Sequence, residues 1–201
     1  LVMKKLFVFK KKCRICDCRN LVKILDLGKT PLANSFLRAG QLNKPEKKFP
    51  LVVYFCRNCF LLQLCHAVSP KLLFGHYLYL TSASKPLTDH FLSLGKEIGD
   101  KFAASKKDLV VEIGSNDGTL LESLKNKCRV LGIDPAKNLT DTATSRGVRT
   151  VSKFFNSKLA EEIFKKEGVA KVIVANNVIA HLNEIQDIFR GVELLLADDG
   201  V

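Results

Sequence analysis

The stretch Asp108-Leu-Val-Val-Glu112-Ile-Gly114-Ser115-Asn116-Asp117-Gly118-Thr-Leu-Leu constrains this chain more than any other. An apolar run ends in an acid, a glycine-bearing turn follows, and an apolar helical pattern begins. Gly114 and Gly118 allow the backbone to bend sharply and to approach a ligand closely. Asp117 is placed to cap the following helix. The rhythm then continues: strands are expected over 108–113, 128–133, 148–151 and 170–175, and helices over 117–127, 138–146, 157–166 and 183–197. Pro86 marks the start of an earlier helix, expected over 87–102. Gly200 and Val201 read as the turn into a further strand. Alternation of this kind predicts an α/β fold, a parallel Rossmann-like sheet with helices on both faces.

The glycine turn also limits the ligand. A dinucleotide site would carry G-x-G-x-x-G to seat a pyrophosphate on the helix N-terminus. Here the second glycine is missing and Glu112 precedes the turn. A negative charge there suits a ligand with a cationic end, and S-adenosylmethionine carries both a sulfonium and an ammonium. Asp134, about twenty residues on at the end of the second strand, suits hydrogen bonds to a ribose diol. Asn176, Asn177 and His181 follow the fourth strand and belong over the same pocket, because ligands of open α/β sheets sit beyond the strands' carboxyl ends. His181 fits a base, a substrate contact or a satisfied polar residue on a helix.

Cysteine usage separates the front of the chain from the rest. Cys13-Arg-Ile-Cys16 and Cys56-Arg-Asn-Cys59 are two C-x-x-C pairs. Each spacing turns two sulfurs toward one point, and two such knuckles make a tetrahedral zinc site. Four thiolates also hold iron–sulfur clusters, which the spacing leaves open. A redox C-x-x-C needs only one pair beside a βαβ unit. Cys18 lies too close behind Cys16 to join the same knuckle easily, Cys65 and His66 are expected to pack or lie at the surface, and Cys128 reads as a small buried apolar residue. The organisation expected is a zinc-binding module over 1–75, a linking segment and helix over 76–106, and an S-adenosylmethionine-binding domain over 107–201.

The chain of 201 residues has a net charge of +12, with lysine spread along its length. A basic surface attracts phosphorylated small molecules or nucleic acid. Aromatic residues are not interleaved with the basic ones as a single-strand platform requires, which ranks a phosphate-bearing small molecule first. No apolar run approaches the ~18 residues of a membrane span. The N-terminus, with Met3 as a candidate start, lacks the apolar core and cleavage site of a signal peptide. Both point to a cytoplasmic protein.

Taken in order, the two cysteine pairs, Tyr77-Leu-Tyr79-Leu-Thr-Ser82-Ala-Ser84, the Glu112–Leu121 loop, Asp134-Pro-Ala-Lys-Asn138 and Asn176-Asn-Val-Ile-Ala-His181 resemble the sugar C-methyltransferase family. Its members carry a zinc-binding domain, a methyltransferase domain and a C-terminal domain. The resemblance implies methyl transfer from S-adenosylmethionine to a carbon of a nucleotide-linked deoxyketosugar, through an enolate formed by a base. It implies that Glu112, Gly114, Asn116, Asp117, Gly118 and Asp134 hold the cofactor, with Ser115 inside the same loop. Asn177 would lie beside the methionine part. Tyr77 or Tyr79, with Tyr79 favoured, would face the active site. The family's His-Glu-His segment, with its base, falls beyond Val201, so this chain is expected to be a C-terminally truncated portion that binds cofactor without turnover. Two other readings stand beside this one: a methyltransferase for another small molecule, and a zinc-ribbon module that contacts nucleic acid and carries a non-catalytic Rossmann domain.

Overall fold

The computed structural model describes residues 6–103 and 105–201. The chain forms two compact units, one ending at Leu73 and one running from Phe74 to Val201.

The first unit is mainly β, with a 3-10 turn at Ala39–Gln41. Strand β1 (Phe7–Phe9) pairs antiparallel with β5 (His66–Val68). Strands β2 (Leu21–Thr30), β3 (Phe49–Cys56) and β4 (Leu62–Leu64) form an antiparallel sheet in the order β2-β3-β4. The β2–β3 pair slips register between Lys23 and Leu25 and again between Asp26 and Lys29. Among the described residues, the buried apolar ones here are Cys13, Phe49, Val52, Cys56, Cys65 and Ala67. Half of that set is cysteine, too little hydrocarbon for a self-sufficient core. Cys65, only 1% exposed, packs inward, while His66 lies among the rings of Phe7, Phe9 and Tyr54.

A short helix, α1 (Pro70–Phe74), spans the junction. The second unit then runs α2 (Lys85–Lys101), β6 (Leu109–Ile113), α3 (Thr119–Glu122), β7 (Arg129–Ile133), α4 (Lys137–Ser145), β8 (Thr150–Val151), α5 (Ser157–Glu167), β9 (Val172–Val174) and α6 (Ile185–Leu195). The sheet order is β8-β7-β6-β9, and every pairing is parallel. The first strand of the unit is therefore central, and the strand order reverses beside it. That reversal is the topological switch point at which such sheets bind ligands. Val201 exchanges hydrogen bonds with Lys171 and Ile173 at 3.1 and 2.9 Å, flanking β9.

Strand β6 is buried along its whole length, as a strand covered on both faces must be. Its alternate residues sort to the two faces. Leu109, Val111 and Ile113 join Leu159 and Ile163 of α5 and Ile188 and Leu195 of α6 in one cluster. Val110 points the other way, to a cluster with Ile98 of α2, Leu120 and Leu121 of α3 and Ala143 of α4. Glu112 has the parity of Val110, so its carboxylate enters the second face.

The helix expected over 117–127 is cut to Thr119–Glu122. Beyond it three-residue hydrogen bonds mix with four-residue ones, as in Leu124 N–H to Leu121 O and Lys125 N–H to Leu121 O, both at 3.0 Å, and the regular helix is lost. The Ser123 hydroxyl donates back to the Leu120 carbonyl at 2.8 Å, competing for the helical acceptors. The helix N-cap is Gly118, with φ of +77°, rather than Asp117.

Candidate cofactor cavity and cysteine cluster

The loop after β6 is built from local necessity. Gly114 adopts φ of +72°, and a Cβ there would fall 2.3 Å from Val178 Cγ2. Only glycine satisfies both the left-handed backbone and that approach. Asn116 also takes positive φ, +51°, a conformation its short polar side chain tolerates. Its main-chain N–H donates to Asp134 Oδ2 at 3.0 Å, tying the β6 loop to the tip of β7. Asp134 Oδ1 accepts from the Ala136 N–H at 2.9 Å.

Past these loops lies a cavity of about 310 Å³. Its walls include Glu112, Gly114, Ser115, Asn116, Asp134, Asn176, Asn177 and His181, with Tyr77, Tyr79 and Phe91 from the segment ahead of the sheet. Most of the expected site residues thus meet at one place, beyond the carboxyl ends of β6, β7 and β9.

Asp117 and Gly118 do not line it. Asp117 is fully buried, and its Oδ1 accepts from the Thr119 hydroxyl at 2.7 Å. Its Oδ2 accepts from the Ser82 N–H at 3.1 Å and lies 3.6 Å from the Arg146 guanidinium. Gly118 turns its α-carbon toward Ala143 and Val148. These two residues shape the loop from behind.

The cavity is acidic at its base. Glu112 is 5% exposed, and its pKa is pushed up to about 8. Burial is the main cause; the neighbouring Asn176 amide eases the shift, and the Asp117 and Asp134 carboxylates add to it. Neither Glu112 Oε2 nor Asn176 Nδ2 has a hydrogen-bond partner of proper geometry, and the Ser115 hydroxyl is likewise unsatisfied. Buried polar atoms left this way are rare and costly. Burial also raises the Asp134 pKa, against the opposing pull of the Ala136 and Asn116 N–H groups. Unpaired acceptors and a donor facing one cavity suit a polar ligand with a cationic end. The role of Asn176 is legible only in this arrangement; in sequence it is one of two adjacent asparagines.

Tyr79, 46% exposed, stands at the cavity wall with its ring centroid 6.5 Å from that of Tyr77. His181 lies in a 3-10 turn, Ile179–His181, and its ring is 6.3 Å from Phe74. Lys153, another wall residue, is paired with Glu162 at 2.9 Å.

In the first unit, Cys13, Cys16, Cys56 and Cys59 bring their sulfurs within 4.8 Å of one another. The Cys13–Cys59, Cys16–Cys56 and Cys56–Cys59 separations are 3.5, 3.6 and 3.6 Å. A zinc ion with bonds of about 2.3 Å to four tetrahedral thiolates requires edges of about 3.8 Å, so the donor set fits. Both knuckles close alike: the N–H of the residue after the second cysteine, Asp17 or Phe60, donates to the carbonyl of the first. Asp17 and Phe60 both take positive φ, 57° and 63°. The Cys16 pKa falls to about 6, chiefly through the Cys18 backbone N–H and then the Asn58 side chain. At Cys59 the Leu61 N–H favours the thiolate, yet burial and the adjacent thiols outweigh it and carry the pKa to about 12. Four crowded thiols cannot all ionise without a cation among them. Cys18 Sγ also comes within 3.3 Å of Cys56 Sγ, closer than its place in the sequence suggests. Cys128 is buried, as expected.

The fold and the two sites define a class: a four-cysteine module joined to a Rossmann-like methyltransferase domain. Residues 13–74 match the family described as "Putative zinc binding domain", and residues 111–201 match that described as "Methyltransferase domain". The chain is 37% identical over 191 residues to "C-methyltransferase NovU" of Streptomyces niveus, covering 94% of this chain and 46% of that protein. These matches support the family that the chain's motifs resemble, a zinc-binding-type module followed by a methyltransferase domain. It spans about half the length of the curated relative it matches. Among solved structures, the SAM-dependent methyltransferase of Geobacter sulfurreducens in complex with S-adenosyl-L-homocysteine gives a TM-score of 0.42 at 19% identity, over 60% of this chain and 51% of that one. The YcgJ protein of Bacillus subtilis gives 0.43 at 18%, over 56% and 48%. Among the described residues, no helix is long and apolar enough to cross a membrane.

Proposed function

We propose that the cavity at the ends of β6, β7 and β9 binds S-adenosylmethionine and that the protein methylates a carbon of a small molecule, a nucleotide-linked deoxyketosugar. The observation that carries the reading is the pairing of Asp134 at the tip of β7 with the buried, unsatisfied Glu112 near the end of β6, both facing one cavity. When bound, S-adenosylmethionine supplies an electrophilic methyl on its sulfonium. Asp134 accepts from the ribose hydroxyls. Glu112 faces the cationic end of the cofactor. Gly114, Ser115, Asn116 and Asn177 line its path, and Asp117 and Gly118 fix the loop that Asn116 belongs to. Tyr79 and His181 are the proposed catalytic residues on the substrate side. The sugar substrate is inferred from the family resemblance. Cys13, Cys16, Cys56 and Cys59 hold zinc as a structural ion. We assign the zinc module to 1–75, the linking segment to 76–106 and the cofactor domain to 107–201, in a cytoplasmic protein. The basic surface is read as favouring the phosphates of a nucleotide sugar rather than nucleic acid.

Calorimetric titration with S-adenosylhomocysteine tests the site. Saturable binding is expected, and Asp134→Ala should weaken it by roughly two orders of magnitude, about two charge-assisted hydrogen bonds. Equal affinity in the variant would remove Asp134 from the site.

Glu112 predicts a pH signature for the methylated cofactor itself. Its folded pKa of about 8 lies above the ordinary 4.5, so at pH 7 the free protein holds a proton there. A cation brought beside it favours the carboxylate. S-adenosylmethionine binding at pH 7 should therefore release a proton, and affinity should rise from pH 6 to 8. Titrations in buffers of different ionisation enthalpy read the release, which Glu112→Gln should abolish. By the same linkage, the ligand-free fold loses stability as pH climbs from about 4.5 to about 8, with a limiting slope of about 1.4 kcal/mol per pH unit. A pH-independent affinity would contradict the proton release, and a pH-independent melting temperature of the ligand-free protein would contradict the loss of stability.

A further inference from the structure

The segment from Tyr77 to Ser82 lies beside the carboxyl ends of β6 and β7 and is pinned by side chains to the loop after β6 and to the start of α4. The Asn138 amide makes two bonds to one residue: Oδ1 accepts from the Tyr77 N–H at 3.3 Å, and Nδ2 donates to the Tyr77 carbonyl at 2.7 Å. A side chain here takes both places that a neighbouring strand would fill. Asn116 repeats the arrangement further along. Its Nδ2 donates to the Tyr79 carbonyl at 3.0 Å, and its Oδ1 accepts from the Thr81 N–H at 3.0 Å. The same Asn116 binds Asp134 through its main-chain N–H. Tyr77, Tyr79 and Thr81 are cavity walls, so the pinned strap is one side of the enclosure.

We propose that Asn138 is a positioning residue which, with Asn116, latches the Tyr77–Thr81 strap over the cofactor cavity, so that strap closure and cofactor retention are one event. Between Tyr77 and Thr81 the strap is held by these two side-chain amides, which can let go one pair at a time without breaking the sheet, while Ser82 beyond it stays fixed by Asp117 and Arg146. Asn116 serves both the strap and Asp134, so a ligand on Asp134 and a closed strap stabilise each other. Asn138 lies in the first turn of α4 and touches the strap rather than the reacting groups. The inference rests on the cofactor assignment made above.

The chain has no tryptophan and three tyrosines, two of which, Tyr77 and Tyr79, lie on the strap. Tyrosine fluorescence therefore reports the strap, and stopped-flow mixing and displacement of S-adenosylhomocysteine give its rates. Two variants are needed. Asn138→Ala removes both bonds. Asn138→Asp keeps the acceptor, loses the donor and suits the first turn of a helix, where a negative charge is favourable. Dissociation is expected to accelerate roughly tenfold to thirtyfold in Asn138→Ala, one to two hydrogen bonds' worth, and by less in Asn138→Asp. Amide exchange at Tyr77 and Thr81 should quicken in both variants while that of β6 is unchanged. Wild-type dissociation in a folded Asn138→Asp and Asn138→Ala pair would overturn the latch and leave the cofactor site standing. Absence of binding by the wild-type protein would overturn the cofactor assignment and the coupling with it.

Discussion

The Cys56→Ser variant is expected to lose the fold of the first unit altogether. Cys56 is 0% exposed and sits between the sulfurs of Cys16 and Cys59. The described core of this unit amounts to six buried apolar side chains, three of them cysteines. Such a core supplies only a few kcal/mol. A four-thiolate zinc site supplies about 10–16 kcal/mol of apparent folding free energy, so losing one ligand removes more than the hydrocarbon can replace. Far-UV circular dichroism should show the β signal of residues up to Leu73 disappear, with zinc content falling from one per chain to none. Chelation of the wild-type protein should give the same spectrum. The second unit has its own two apolar clusters and should keep a separate melting transition. Full metal content and an unchanged spectrum in the variant would show that Cys56 is not a ligand, and wild-type protein without metal would show that the cysteines are merely packed.

Asp117→Ala is expected to destabilise the second unit by about 3 kcal/mol, the scale of removing a buried charge from its partners. The substitution strands the Ser82 N–H, the Thr119 hydroxyl and one side of the Arg146 guanidinium. For a unit of this size that corresponds to a fall of roughly 10 °C in melting temperature. Asp117→Asn keeps an acceptor of the same shape and should recover about half of the loss. Differential scanning calorimetry would read the upper transition. A drop confined to ligand affinity, with no change in melting, would mean that Asp117 serves the cofactor directly instead of the loop.

These results bear on what the chain discloses in sequence. The parallel sheet was legible because β6 is an unbroken apolar run ending in a glycine turn, and because helical and strand periods alternate after it. The two cysteine knuckles were legible because each two-residue spacing turns a pair of sulfurs toward one point. Glu112, Gly114, Asn116 and Asp134 could be nominated because each falls at the end of a strand, where the topology leaves ligands room. Local rules failed at the α3 segment. Its apolar pattern continues to Leu124, but Ser123 takes back a carbonyl and the regular helix is lost after one turn.

The order of elements, the thiolate pairs and the acids at the strand ends follow from periodicity and spacing along one chain. Which residues face the cavity depends on how the loops pack against distant parts of the chain. Asp117 and Gly118 lie inside the same motif as Glu112 and Gly114, yet they turn toward Arg146, Ser82 and Ala143. Asn138, sixty-one residues from Tyr77, becomes its hydrogen-bonding partner. A side chain's partner across such a distance depends on where folding brings the two backbones, and neither residue carries a local signal of the other.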